Sequence, residues 1–223
     1  MNIKGYISLT VFTFITTFLY AQSAVTTHRF NFAEPILEGA IVDDRDGTLY
    51  RTIKIGEKIW FAENLRYDSP NSLCYKKKKK NCKDLGRLYP MSDLPMACPA
   101  GWRVPTLNDW EDLRDHLGPD KTYGLLDPQG WSAYKSHTNS LGLSLQGVGY
   151  QEKKNFVGKG NAVTLWLNGF NRYGDPYHVH IYGGNGVYFK KTDLQTNEVF
   201  HAHPIEDPIN FRYSVRCVCE NSK

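Results

Sequence analysis

Alternating apolar and polar positions dominate this chain, and a helical period stands out in only one place. Thr48 to Ile55 alternates in strand fashion, Gly56-Glu57-Lys58 turns, and Ile59-Trp60-Phe61 opens a second strand. This pattern predicts a β-hairpin, with the turn cluster Asp43-Asp44-Arg45-Asp46-Gly47 just before it. The helix is predicted over Leu107 to Leu117, with Leu107, Trp110, Leu113 and Leu117 forming its apolar stripe. Thr106 caps it, Asp109 stands at the reciprocal position of a capping box, and Glu111 lies near the positive end. Gly118-Pro119 ends it. Short strands are then predicted at Leu141 to Tyr150, Ala162 to Leu167, His178 to Tyr182, Val187 to Lys190 and Tyr213 to Val218, separated by Gly, Asn and Asp. There is no internal repeat and no low-complexity linker. One domain is therefore expected over residues 40–220, after a patternless lead-in at 22–39.

The first residues change the expected compartment. Lys4 precedes an apolar and hydroxyl run from Tyr6 to Tyr20, followed by Ala21-Gln22-Ser23-Ala24. This reads as a secretory signal over residues 1–21, cleaved after Ala21. The run is short for a bilayer core of roughly 30 Å, and Thr and Tyr dilute it. No Cys precedes Cys74, so no lipid-anchored start is expected, and no later stretch reads as an integral membrane span.

Aromatics are 13% of the chain and glycines number 19, which favours a β-rich, loop-rich fold over a bundle. The formal charge is +4, yet Lys76 to Lys80 are five consecutive lysines. Removing these five and Lys4 takes the remainder from +4 to −2. A nucleic-acid binder spreads Lys and Arg between aromatics over one surface, so nucleic acid is not an expected partner. The lysine run reads as a solvated loop tip, with contact to an anionic surface as the sharper alternative.

Five cysteines in an exported chain point to disulfides. Cys74 and Cys82 bracket nine residues and are expected to close them. Cys98 is expected to pair with Cys217, tying mid-chain to the last strand. Cys217 and Cys219 share a face of a strand, so Cys219 stays open as the alternative partner. The odd thiol is then either buried and inert or a link between chains.

Three stretches carry a family resemblance. They are Asp46-Gly47-Thr48-Leu49-Tyr50 through Trp60-Phe61-Ala62-Glu63-Asn64-Leu65; Cys98-Pro99-Ala100-Gly101-Trp102-Arg103-Val104-Pro105-Thr106 with Trp110; and Phe211-Arg212-Tyr213-Ser214-Val215-Arg216-Cys217-Val218. Between them Cys74-Tyr75, Cys82, Gly86-Arg87-Leu88-Tyr89 and Gly147-Val148-Gly149-Tyr150 fall in order. Together they resemble the Fibrobacter succinogenes major paralogous domain, a family of exported bacterial proteins, over residues 43–219. More distantly the same segments resemble the C-type-lectin-like fold, and Arg103-Val104-Pro105-Thr106 with Trp110-Glu111 resembles a helix start in formylglycine-generating enzymes. The resemblance implies an α+β fold: one lectin-like domain with a mixed, mostly antiparallel sheet, one clear helix, long loops and disulfides. It also implies a secreted or cell-surface binding role without an established reaction. This chain departs from the family in its lysine-filled loop. It also departs at Pro90 and Pro95, where a first helix is shortened or lost, and around Leu165-Trp166-Leu167-Asn168.

Catalytic and metal chemistry finds little support in the sequence. A lectin-type calcium site needs several hard oxygen ligands, and neither Glu-Pro-Asn, Gln-Pro-Asp nor Trp-Asn-Asp occurs. Cys217-Val218-Cys219 lacks the thiol spacing of a formylglycine-generating site. There is no Gly-x-Ser-x-Gly elbow, and no helix pattern follows the Gly158-Lys159-Gly160 turn as a phosphate loop requires. His178 with His180, and His201 with His203, are the sharpest metal signal, because alternate strand residues place two imidazoles on one face for zinc or copper. No cofactor is expected.

Trp60, Trp102, Trp110 and Trp131 read as core. Trp166 to Phe189 is different, with seven aromatics among 24 residues and Asn, Arg and Asp between them. Rings beside amides and carboxylates suit carbohydrate or protein recognition, and the lectin-like resemblance puts variable binding loops here. The expected contact residues are Trp166, Arg172, Tyr173, Asp175, Tyr177, Tyr182 and Asn185. The expected function is non-enzymatic recognition or adhesion, binding a glycan or protein at the cell envelope in a secreted, periplasmic or surface location. The alternatives are an envelope component self-assembled as a homodimer through Cys219, and a metal-binding protein or enzyme using the His pairs.

Overall fold

Strand β1 (Gly39–Asp43) pairs antiparallel with β2 (Thr48–Ile55), and β2 with β3 (Lys58–Phe61). The acidic turn cluster closes the first pair, with Gly47 N donating to Asp43 O at 2.8 Å. This computed structural model describes residues 39–117, 122–132, 137–172, 174–182 and 210–220, all within one unit, Ala33–Lys223. The predicted hairpin is β2–β3, and β1 is an additional strand at the end of the lead-in. Near the C-terminus, β9 (Val218–Glu220) adds to the free edge of β3, giving a four-stranded antiparallel sheet in the order β1-β2-β3-β9.

The second sheet comprises β4 (Val148–Glu152), β5 (Asn155–Lys159), β6 (Ala162–Phe170), β7 (Pro176–Tyr182) and the short β8 (Phe211–Arg212). Its order is β5-β4-β6-β7, and β8 pairs with β4. All pairings are antiparallel except β4 with β6, which meet in parallel at Gly149 and Val163. The fold is thus α+β with strands in the majority.

The segment predicted as a strand over Tyr213 to Val218 instead crosses between the sheets. It makes single bridges from Tyr213 to Tyr89, Ser214 to Leu165 and Val218 to Arg103. A stretch that changes partner at nearly every residue cannot ladder against one strand. The predicted strand from Leu141 is also mostly irregular, and only its last residues enter β4. Ser144 takes a left-handed backbone at φ 53°, and a Cβ on Gly147 would lie 2.8 Å from Gly160 C.

Helix α1 (Lys79–Leu85) begins inside the lysine run, where the composition predicts a solvated loop tip, and α2 (Leu107–Leu117) matches its predicted span. The capping box forms: Thr106 N donates to Asp109 Oδ2 at 2.7 Å, and Asp109 N to Thr106 Oγ1 at 3.3 Å. Trp110 and Leu113 are buried, and Trp110 meets Trp60 edge-on at 5.4 Å. Pro95 limits Met91–Met96 to a 3-10 turn.

Two apolar clusters share their walls. On β3, Trp60 enters one cluster, whereas Ile59 and Phe61 enter the other. On β6, Val163, Leu165 and Leu167 join the first and Trp166 the second. Both strands are buried on both faces, which explains their continuous rather than alternating hydrophobicity.

Candidate functional site

The expected contact residues scatter across environments. Trp166 is fully buried, with its Nε1 donating to Tyr89 O at 2.7 Å and its ring 4.4 Å from that of Tyr213. This corrects the sequence reading: Trp166 is a core residue with no ring face left for a ligand. Asp175 closes a turn, its carboxylate accepting from Asn171 Nδ2 at 2.9 Å and its N–H donating to Asn171 Oδ1 at 2.9 Å. Arg172 is exposed beside it. Tyr177 is half-buried against Gly169. Tyr182 is 48% exposed at the end of β7 and packs over His180 at 4.2 Å. Tyr173 and Asn185 lie outside the described residues, as do His201, His203 and the strand predicted at Val187 to Lys190.

His178 and His180 do share one face of β7, and both are buried. Thr164 Oγ1 lies 2.7 Å from His180 Nδ1, and the ring of Tyr150 meets His180 edge-on at 5.1 Å. His178 stands against Tyr213 at 5.3 Å and Trp166 at 6.4 Å. The pair is thus embedded in an aromatic layer. Among the described residues no group of three or more His, Cys, Asp or Glu is arranged to hold a metal ion.

A cleft of about 350 Å³ opens where β6 leaves the core. Its construction starts with the irregular stretch of β6 between Trp166 and Phe170, where the register against β7 shifts. The irregularity turns Phe170 outward to 57% exposure, while Asn168 N anchors the strand by donating to Pro105 O at 2.7 Å. The facing wall is the 3-10 turn, contributing Met91, Leu94 and Pro95. Trp102 lies between the walls, 7% exposed, with its ring 4.6 Å from that of Phe61. The Cys98–Cys217 disulfide pins the cleft wall to the C-terminal segment.

Polar groups at this cleft are few. The Asn168 side chain is exposed at its edge. Arg103 also lines it, but its guanidinium is held by Asp109 and, at 2.7 Å, by Glu220. Sequence reading missed this site because Trp102 and Met91 look like core. Phe170 fell within the stretch singled out, and it is the residue there that the structure delivers to a concave surface.

A second, polar recess of about 210 Å³ is bordered by Arg51, Glu63 and Arg66, with Arg216 beneath. Glu63 receives Arg51 at 2.8 Å and Arg66 at 3.3 Å. Arg216 is 2% exposed and donates to Asn64 Oδ1 at 2.7 Å, Phe61 O at 3.2 Å, Ser144 O at 3.1 Å and Leu143 O. These bonds tie the C-terminal segment to the end of β3 and to the irregular stretches at Asn64 and at Leu143 and Ser144. We assign Arg216 a clamping role.

The cysteines settle as Cys74–Cys82 and Cys98–Cys217. Cys219 is the free thiol, 3% exposed in β9, paired across the ladder with Ile59. Burial, with Glu220 nearby, pushes that thiol up to about 12. Among the described residues this thiol is buried, and a link between chains through it would need that burial undone.

Comparison with curated proteins gave no match. Comparison with solved structures gave none either. The family model for the Fibrobacter succinogenes major domain matches residues 53–219. That span runs from β2 to β9 and includes both disulfides, the cleft and the Arg216 clamp. The chain belongs to the Fibrobacter succinogenes major domain family.

Proposed function

We propose that the chain is an exported, non-enzymatic recognition domain with a C-type-lectin-like fold, taking a glycan or a protein segment at the cell envelope. The observation that carries this reading is the cleft at the end of β6, where Phe170 stands 57% exposed opposite Met91 and Leu94. A concavity lined by apolar and aromatic side chains with a few polar groups at its edge is the usual form of a ligand site. A ring stacks on the apolar face of a sugar or an aliphatic side chain, and the Asn168 amide supplies a donor and an acceptor for hydroxyls or a peptide backbone. Export is supported by the apolar N-terminal run and by two disulfides, which persist in oxidising compartments. Among the described residues no helix is long and apolar enough to cross a membrane.

The test is a glycan array and an envelope-extract pull-down with the mature domain, alongside Phe170→Ala and Asn168→Ala. Each substitution is expected to weaken the captured ligand about tenfold, matching roughly 1.4 kcal/mol per lost contact, at unchanged melting temperature. Ligand capture that both variants retain in full would remove the cleft from the function.

A further inference from the structure

The lysine-rich segment is a built surface. Cys74–Cys82 closes it, and α1 starts within it. The ring of Tyr75, 5% exposed, lies against Gly149 of β4 and 5.3 Å from the ring of Phe156 on β5. Asn81 joins the two pieces, its Nδ2 donating to Tyr75 O at 2.7 Å and its Oδ1 accepting from Lys159 Nζ at 3.4 Å. Residues 75–85 and the β4–β5 hairpin thereby present one continuous face.

That face is strongly basic. Lys76 to Lys80, Lys83, Lys153, Lys154 and Lys159 are all exposed, and the carboxylates of these two segments are only Asp84 and Glu152. The backbone adds a second observation. Among the described residues five non-glycine positions are left-handed, and three are lysines of this face: Lys76 at φ 52°, Lys77 at φ 56° and Lys153 at φ 54°. Glycine takes that conformation without penalty, whereas a side chain there costs about 1–2 kcal/mol. Three charged side chains of this face thus sit at backbone positions that favour glycine.

We propose that this face binds a linear acidic polysaccharide, a chain carrying repeated carboxylate or sulfate groups. Ammonium groups on flexible stems follow an irregular polyanion as mobile point charges, without the fixed fork that arginine brings to a single phosphate. A bilayer is disfavoured because, among the described residues, the exposed large apolar side chains Val42, Leu49, Met96, Phe170 and Tyr182 all lie outside these segments, so this face carries no anchor for the acyl region. Single-stranded nucleic acid is disfavoured because Tyr75 is buried and Phe156 is half-buried edge-on against it, so neither presents an open stacking platform. The rest of the chain is formally negative, so the attraction is local and orients the molecule on the polymer.

The probes are soluble polygalacturonate for carboxylate and heparin for sulfate, with phosphatidylglycerol vesicles as the membrane arm. Binding is measured by calorimetry on the disulfide-intact mature protein between about 50 mM and about 300 mM salt. The wild type is expected to bind at least one soluble polymer, with affinity falling steeply as salt rises. Replacing Lys76 to Lys80 with Ser lowers that affinity by about tenfold or more, since each neutralised contact counts. Lys153→Ser, Lys154→Ser and Lys159→Ser together lower it severalfold, whereas replacing Lys76 to Lys80 with Arg retains it. Phe170→Ala leaves it unchanged, which separates this face from the cleft. Unchanged affinity in the five-serine protein, or binding to vesicles without either soluble polymer, overturns the proposal.

Discussion

The Asp109 carboxylate accepts from Thr106 N and Thr106 Oγ1 at the start of α2 and from the Arg103 guanidinium beside it. Burial alone would raise it, but these bonds prevail and bring it down to about 2. A depressed carboxyl stabilises the fold fully above its unfolded value near 3.8, and that contribution is lost as pH falls toward 2. Asp109→Asn is therefore expected to lower stability by about 1–3 kcal/mol at neutral pH, with the gap to wild type closing in strong acid. Urea titrations from pH 7 to pH 2 measure this, and a constant gap would contradict it. The Cys219 thiol gives a second expectation at this scale. Native protein should leave it unlabelled by a thiol reagent at pH 8, and denaturation without reductant should release one reactive thiol per chain. Fast native labelling would place β9 away from β3.

At the level of elements, what the sequence revealed depended on how local the cause was. The capping box at Thr106 and the stripe through Trp110 and Leu113 lie within one helix, so α2 was legible to its ends. The β2–β3 hairpin was legible for the same reason. Strand β6 was found, but its faces were misjudged. Trp166 alternates correctly with Leu165 and Leu167, and only the second apolar cluster, assembled from distant segments, buries it. The lysine run hid α1 because composition signals solvation, although lysine is a good helix former. The cleft was hard to read because the irregularity of β6 that exposes Phe170 has one local mark, Gly169 at φ +124°, and a lone glycine tells neither which way the strand bends nor which segment faces it. Gly149 shows how tightly the elements meet. It sits at φ +75°, and a Cβ there would lie 2.5 Å from Val157 O and 2.7 Å from Tyr75 Cε2. Gly149→Ala is expected to cost about 2–4 kcal/mol in chemical denaturation, through backbone strain and a displaced Tyr75. A loss below half that range would mean that the contact yields easily.

Across the whole molecule, the residues from Phe211 to Glu220 bridge both sheets, and Arg216 and Cys217 fasten them at the centre. In the chain-entropy description, Cys98–Cys217, separated by 119 positions, contributes about 5 kcal/mol, against about 2.5 kcal/mol for Cys74–Cys82, separated by 8. Paired serine replacements should therefore rank in that order in thermal melts of otherwise identical protein. A larger drop from the short ring would mean that the lysine face, rather than chain entropy, sets the difference. The larger ring has a further consequence for survival under proteolysis. Any single protease cut between residues 99 and 216 leaves two polypeptides still covalently joined. A nicked molecule keeps both halves at high effective concentration and can remain assembled. Substitutions and insertions inside that circuit are buffered in the same way, so its surface stretches can diversify without losing the closure that holds the sheets together.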